Sequence, residues 1–300
     1  MKQIMAHFEA HLLTERRVAT NTFSAYQKDI EQLYNYLVEQ KIVLEKITCD
    51  TLKSFLHHLK GLNLTAASMS RKISALKLFF NYINERYGYT NAAQDLIFPK
   101  LEKKLPTYLP EQDVEQLLLT AAHDASDTGM RNKVMLYLLY GSGMRISELT
   151  NLCCSDIHFD TGFIAIAGKG GKHRMVPLPQ PLLALLKEYI VVMQQKMSNK
   201  RKGNTPDYLF PVTYGGKIKP ITRQAFWTIL RQLCLKAGIK RSISPHTLRH
   251  SLATHMLKRG ADLRSLQLIL GHENLATVQI YTHVETGHLR KVYDKKHPRS

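Results

Sequence analysis

Apolar residues recur at helical spacing from the start of this chain. Phe8, Leu12 and Leu13 form a short stripe, and Tyr26, Ile30, Leu33, Tyr34 and Leu37 a longer one, in the three- and four-residue steps of amphipathic helices. Thr48 is placed to cap a third helix carrying Leu52, Phe55, Leu56 and Leu59, and Gly61 ends it. A fourth begins near Ser68, carries Ile73, Leu76, Phe79, Phe80 and Ile83, and stops at Gly88. The pattern therefore predicts four short helices over residues 1 to about 90. Arg71, Lys72 and Lys77 read as outward positions, suited to contact with a polyanion and equally to an ordinary solvated face.

The proline-punctuated, charged run from Pro99 to Pro110 cannot continue a helix and reads as a linker, dividing the chain into residues 1–105 and 106–300. Beyond it, one helix is expected from Glu111 and another over Arg131–Tyr140, ending at Gly141-Ser142-Gly143. Residues 163–167 and 173–177 alternate as strands around Gly168-Lys169-Gly170-Gly171, a hairpin pattern. Lys196, Lys200, Arg201, Lys202 and Gly203 read as a basic loop, and from Ile221 onward the spacing is helical again. The fold class is thus mainly α with a small β-hairpin or sheet in the second domain.

Charge sharpens this picture. The chain carries 42 Lys and Arg against 24 Asp and Glu, a net +18. Residues 1–105 hold 15 basic and 10 acidic side chains and residues 106–300 hold 27 and 14, so the excess belongs to both halves. Nucleic acid is the partner such a field suits, since phosphate neutralisation with counterion release supplies most sequence-independent affinity. Cys49, Cys153, Cys154 and Cys234 have neither a CxxC pair nor metal-ligand spacing, which points to reduced cysteines and no zinc site. The first residues lack the apolar core of a signal peptide, and no run approaches the roughly 18 apolar residues of a membrane span. A cytoplasmic protein that makes no use of a membrane is expected.

Six residues of the second half carry candidate chemistry: Arg145, Lys169, His246, Arg249, His272 and Tyr281. Ser244-Pro245-His246 reads as a capped helix start, putting His246 where free amides and the helix dipole favour an anion, with Arg249 one turn on. An isolated His-x-x-Arg is more often plain surface polarity. Arg145 follows the Gly141-Ser142-Gly143 turn, whose glycines allow close approach of a ligand; Glu148 reads as its orienting partner or as an ordinary helix-surface pair. Lys169 sits at the hairpin tip, with Lys172 and Arg174 competing for the same role, and at an unperturbed pKa of roughly 10.4 it is a slow acid until a phosphate tunes it. Tyr281, nine residues after His272, has nothing of its own that marks a nucleophile. Together the six supply what a metal-free phosphodiester cleavage needs, provided the tyrosine hydroxyl attacks.

In this order they resemble the tyrosine recombinase (phage integrase) family. GSGMRISEL at 141–149, PHTLRHSLATH at 245–255 and LGHENLATVQIYTHV at 270–284 are similar to its signature boxes. NTFSAYQKDI and SMSRKISALKLFFNYI resemble its core-binding domain, and the closing His297-Pro298-Arg299 resembles the end of the Xer branch, which resolves chromosome dimers. The sequence departs from the family's pattern at Leu252, usually aromatic, at Val278, where threonine is common, and at Ala92, where proline is usual.

The resemblance implies a two-domain DNA clamp, a four-helix, SAM-like core-binding domain followed by a catalytic domain. It implies that Tyr281 attacks the scissile phosphate to give a 3′-phosphotyrosyl intermediate. Arg145, Arg249 and His272 would hold the phosphoryl oxygens, Lys169 would protonate the leaving oxygen, and His246 would assist proton transfer. No cofactor and no metal are expected, and lower-ranked DNA contacts are Arg71, Lys72, Lys172, Arg174 and Arg223. The implied partners are double-stranded DNA with an inverted-repeat core site and a partner recombinase in a tetrameric synaptic complex, with the tail from Gly287 to Ser300 docking on a neighbour. A septal DNA translocase is a further candidate partner. Competing readings are a mobile-element or phage integrase, a type IB topoisomerase, and a non-enzymatic architectural DNA binder.

Overall fold

The computed structural model describes residues 1–16, 18–61, 64–100, 108–168, 173–197, 207–271 and 283–299, with side chains of the last segment from 289 onward. The chain divides into two compact units, Met1–Lys104 and Leu105–Ser300. Among the described residues no helix is long and apolar enough to cross a membrane.

The first unit holds α1 (Lys2–Thr14), α2 (Thr20–Glu39), α3 (Cys49–Gly61) and α4 (Ala66–Tyr87). Their stripes meet in one core in which Phe8, Leu12, Ile30, Leu33, Leu37, Leu52, Phe55, Leu76, Phe79 and Phe80 are buried. The Phe8 and Phe79 rings stand edge-to-face at 5.2 Å, the arrangement their quadrupoles favour. Thr48 caps α3 through a reciprocal pair with Thr51, and α4 starts two residues before Ser68 because the Thr65 hydroxyl accepts from the Ser68 amide. At Ala92, the departure from proline leaves a turn in which Asn91 Oδ1 accepts from the Ala93 amide.

Lys72 corrects the outward reading. It is 4% exposed, and its ammonium donates to Asp29 Oδ1 at 2.7 Å and to Gln32, while Arg71 also pairs with Asp29. A charge is tolerated at such depth only when paired, and a lysine held this way has no ammonium to offer a duplex.

The second unit contains α5 (Glu111–Ala122), α6 (Asp127–Ser142), α7 (Ile146–Thr150), β1 (Ile157–His158), β2 (Phe163–Ala167), β3 (His173–Pro177), α8 (Gln180–Met197), β4 (Pro211–Tyr214), β5 (Lys217–Pro220), α9 (Arg223–Lys236), α10 (Pro245–Lys258), α11 (Leu263–Leu270) and α12 (His283–Lys296). From Val134 onward helix α6 is apolar all round, with Val134, Met135, Leu136, Leu138, Leu139 and Tyr140 buried, and it packs on α5, α8 and α10. The sheet order is β1-β2-β3, antiparallel, with Ile164 opposite Val176 and Ile166 opposite Arg174. The β4–β5 hairpin was not expected. Its strands are largely exposed, and the signal was Gly215-Gly216, both at positive φ (55° and 72°), which suits a two-residue turn.

In this single chain the C-terminal helix packs on its own unit, where the sequence led us to expect docking on a neighbour. In α12, Leu289 and Tyr293 are 1% and 0% exposed inside their own unit, the Tyr293 hydroxyl donates to Gly141 O, and Arg290 donates to Gly162 O and Leu178 O. Burial of Leu289 and Tyr293, each contributing roughly 2 kcal/mol, acts together with these side-chain-to-backbone bonds to fix it in cis.

His297 stacks on Tyr293 at 4.4 Å, and burial, reinforced by Arg259, pulls its pKa down to about 3. His255 is also buried: its Nε2 donates to Leu109 O, so Nδ1 accepts from Tyr140, and burial lowers its pKa too. Both rings stay neutral in the fold at pH values where the unfolded chain takes up protons, below about pH 6.5. Stability should be level above that pH and fall as pH drops towards 3, by at most about 1.4 kcal/mol per pH unit per histidine. Denaturant titrations at pH 7.5 and 5.0 should show this loss, and His297→Phe should remove the share that His297 contributes. An unchanged slope in the variant would show that His297 is protonated in the native state.

Candidate active site

Three guanidinium groups meet at the C-terminal end of α11. This helix ends at Gly271 in the left-handed conformation (φ 65°), leaving carbonyls without helical partners. Arg174 Nε donates to Ile269 O at 2.9 Å, Arg249 Nη2 to Leu270 O at 2.5 Å, and Arg145 Nη2 to Gly271 O at 3.2 Å. Three successive carbonyls are thus taken by arginines from β3, α10 and the N-cap of α7.

Two glycines permit this convergence. Gly143 ends α6 at φ 61°, and a Cβ there would stand 2.9 Å from both Leu252 Cδ2 and Leu270 Cδ2. A Cβ on Gly271 would stand 3.0 Å from Arg174 Cδ. The glycine turn before Arg145 therefore admits packed leucines, where the sequence suggested a ligand. Leu252, the departure from an aromatic residue, is the leucine that fills this space from α10.

Glu148 joins the arginines. Its carboxylate accepts from Arg145 Nη1 at 2.9 Å and from the Arg145 backbone amide at 2.6 Å, and bidentately from Arg174 at 3.0 and 2.7 Å. Burial would raise its pKa, but hydrogen bonds and charge from Arg174 and then Arg145 hold the carboxyl below the ordinary range. Of the two sequence alternatives for Glu148, the orienting partner is the observed one. Arg249, 8% exposed, also donates from Nη1 to Gly143 O at 2.7 Å. Burial first, and then Arg145 and Arg174, pull its pKa down to about 10, which leaves it charged at neutral pH. Three guanidiniums face one carboxylate, and Arg145 remains 38% exposed. The cluster keeps an excess of positive charge that an anion reaching Arg145 would offset.

His246 lies on the first turn of α10, which Ser244 caps through the Thr247 amide, three residues before Arg249; its ring is exposed. Lys169, His272, Tyr281 and Lys172 lie outside the described residues. Arg223, the first residue of α9, is exposed, and Arg71 is 41% exposed while bonded to Asp29 and Ala25 O. Arg174 corrects the reading as a DNA contact: at 5% exposure its guanidinium is turned inward onto Glu148 and Ile269 O. Period-two alternation carried the signal, since Arg174 shares a strand face with the buried Val176. Among the described residues no cluster of His, Cys, Asp or Glu is arranged to hold a metal ion.

Comparison with known proteins gives this arrangement its context. Protein-family models match residues 107–288, as the phage integrase family, and residues 5–86, as the phage integrase N-terminal SAM-like domain. Tyrosine recombinase XerD of Oceanobacillus iheyensis is 39% identical over 96% of this chain and 96% of its own length, and its namesake in Staphylococcus saprophyticus is 37% identical over the whole of both chains. The crystal structure of XerH site-specific recombinase bound to difH substrate, a pre-cleavage complex, superposes with a TM-score of 0.69 at 26% identity, covering 96% of this chain and 83% of that one. Matched by the family's models in both units and by relatives along its full length, the chain belongs to the phage integrase family, the tyrosine recombinases that cut and rejoin DNA at specific sites.

Proposed function

We propose that this chain is a Xer-type recombinase that resolves chromosome dimers in the cytoplasm, with residues 1–105 gripping the core site and residues 106–300 carrying the chemistry. The observation that carries the site assignment is the convergence of Arg145 and Arg249 on the end of α11, one residue before His272 in the chain. Fixed donors aimed at a phosphate stabilise the charge that develops as its geometry becomes trigonal bipyramidal. Tyr281 Oη forms the new bond to phosphorus, the P–O5′ bond breaks, and the 5′-oxygen leaves with a proton from Lys169. His246 takes the proton that the Tyr281 hydroxyl gives up, and His272 joins the arginines in holding the phosphoryl oxygens. The bond energy stays in the 3′-phosphotyrosine, so a 5′-hydroxyl from the partner strand reverses the step without ATP.

Double-stranded DNA with an inverted-repeat core site is the substrate in this reading, and the relatives' names and the DNA-bound XerH complex support it. A second recombinase completes a tetrameric synapse, and a septal DNA translocase controls the exchange. The test is a nicked suicide substrate, in which the 5′-end is lost after cleavage. The full chain should accumulate an SDS-resistant protein–DNA adduct at a 3′-end, in EDTA as well as without it. A gel shift with no adduct would instead make the protein an architectural binder.

A further inference from the structure

We infer that Arg174 is a positioning residue for recombination, a buried guanidinium that holds Arg145 and the end of α11 in register without touching DNA. This inference rests on the proposed assignment of Arg145 and Arg249 to the phosphate. Alternation along β3 points Arg174 inward beside Val176, and its planar fork satisfies two structures at once. Nη1 and Nη2 grip both oxygens of Glu148, at 3.0 and 2.7 Å, and Nε reaches Ile269 O at 2.9 Å. Glu148 in turn fixes Arg145 twice, through its guanidinium at 2.9 Å and its backbone amide at 2.6 Å. The relay therefore sets both where the Arg145 backbone starts and where its side chain ends.

The same residue supports the other side of the site. Gly271 lies so close that a Cβ on it would meet Arg174 Cδ at 3.0 Å and Nε and Nη1 at 3.2 Å. The turn that leads to His272 thus rests on the Arg174 side chain. In sequence, β3 is also the strand that leaves the loop containing Lys169. A lysine keeps the charge but, as a point donor on a flexible stem, does not bridge a carboxylate and a carbonyl with fixed geometry. Small misplacement of catalytic groups from a distance is enough to lower a rate about 10²-fold.

The experiment compares single-turnover cleavage of a suicide substrate with site affinity by gel shift, using the full-length protein. Arg174→Lys should bind the site as wild type does and cleave on the order of 10- to 100-fold more slowly. In an Arg145→Ala background the same substitution should lose most of its effect and keep only the part carried through the end of α11, because one of the two groups it positions is gone; in a Lys169→Ala background it should act in full. A wild-type rate for Arg174→Lys, or full additivity with Arg145→Ala, would overturn the inference. So would weaker site binding with a shallower salt dependence, the signature of a phosphate contact. A wild-type rate for Arg145→Ala alone would instead remove the underlying site assignment. Should Arg174→Lys unfold below the assay temperature, Glu148→Gln tests the same relay by the same non-additivity with Arg145→Ala.

Discussion

Tyr281→Phe should bind its DNA site with unchanged affinity and form no covalent complex on a nicked suicide substrate. Of the candidate groups, only the tyrosine hydroxyl makes an ester with phosphorus that survives SDS, and phenylalanine keeps the ring while deleting that oxygen. A phenol of ordinary pKa near 10 is ionised to only about one part in a thousand at pH 7, so attack needs cationic surroundings that stabilise the phenolate and the phosphorane together. In the proposed mechanism the cluster of Arg145, Arg174 and Arg249 around one carboxylate supplies that charge. Cleavage should fall below detection, a larger effect than for any other substitution. An SDS-resistant adduct with the phenylalanine variant would assign the nucleophile to another residue and break the mechanism at its first step.

The second large effect is expected at Arg249. Removing one fixed donor from a developing oxyanion raises the barrier by on the order of 3 kcal/mol, a rate loss of 10²-fold or more, and leaves ground-state binding nearly unchanged. Arg249→Ala should therefore shift DNA as wild type does and cleave very slowly. The substitution also strips Gly143 O and Leu270 O of their donor, so the variant should unfold more easily, by roughly 1–3 kcal/mol. Parallel gel-shift, single-turnover and denaturant measurements separate these contributions. Equal losses in binding and cleavage would make Arg249 a docking residue and not a transition-state one.

Much of the fold follows from local rules that need no tertiary information. The bounds of β2 and β3, the start of α5, the Thr48 cap and the Gly271 stop are all set by alternation, proline and glycine. In α11 the helically spaced Leu266, Ile269 and Leu270 are buried, while Leu263 is 67% exposed because it heads the helix. Arg145 and Arg249 were read as candidate site residues because three separated motifs agreed in type and order, and the structure brings the two together at the end of α11.

What escaped was orientation. Lys72 falls on the same stripe as Leu76, Phe79 and Ile83, and Arg174 on the same strand face as Val176, yet both were read as surface charges because residue type was weighed above position. Their burial depends on partners 43 and 26 positions away, Asp29 and Glu148, which no local pattern announces. The cis packing of α12 was hidden for the same reason. Tyr293 and Arg290 are held by carbonyls of Gly141, Gly162 and Leu178, groups present at every residue and carrying no signature in a sequence.

The end of α11 has an entropic consequence. An arginine side chain loses up to about 2 kcal/mol of rotamer freedom when fixed, and three such side chains are anchored here by successive carbonyls of one short helix. That ordering is completed when the chain folds, so it does not recur each time a phosphate arrives. Catalytic groups that must be frozen on binding carry their disorder into the activation entropy, whereas groups hung on a helix terminus leave it in the folding equilibrium. A substitution that merely loosens this terminus would thus register as a less favourable activation entropy at almost constant activation enthalpy, with every catalytic side chain still in place.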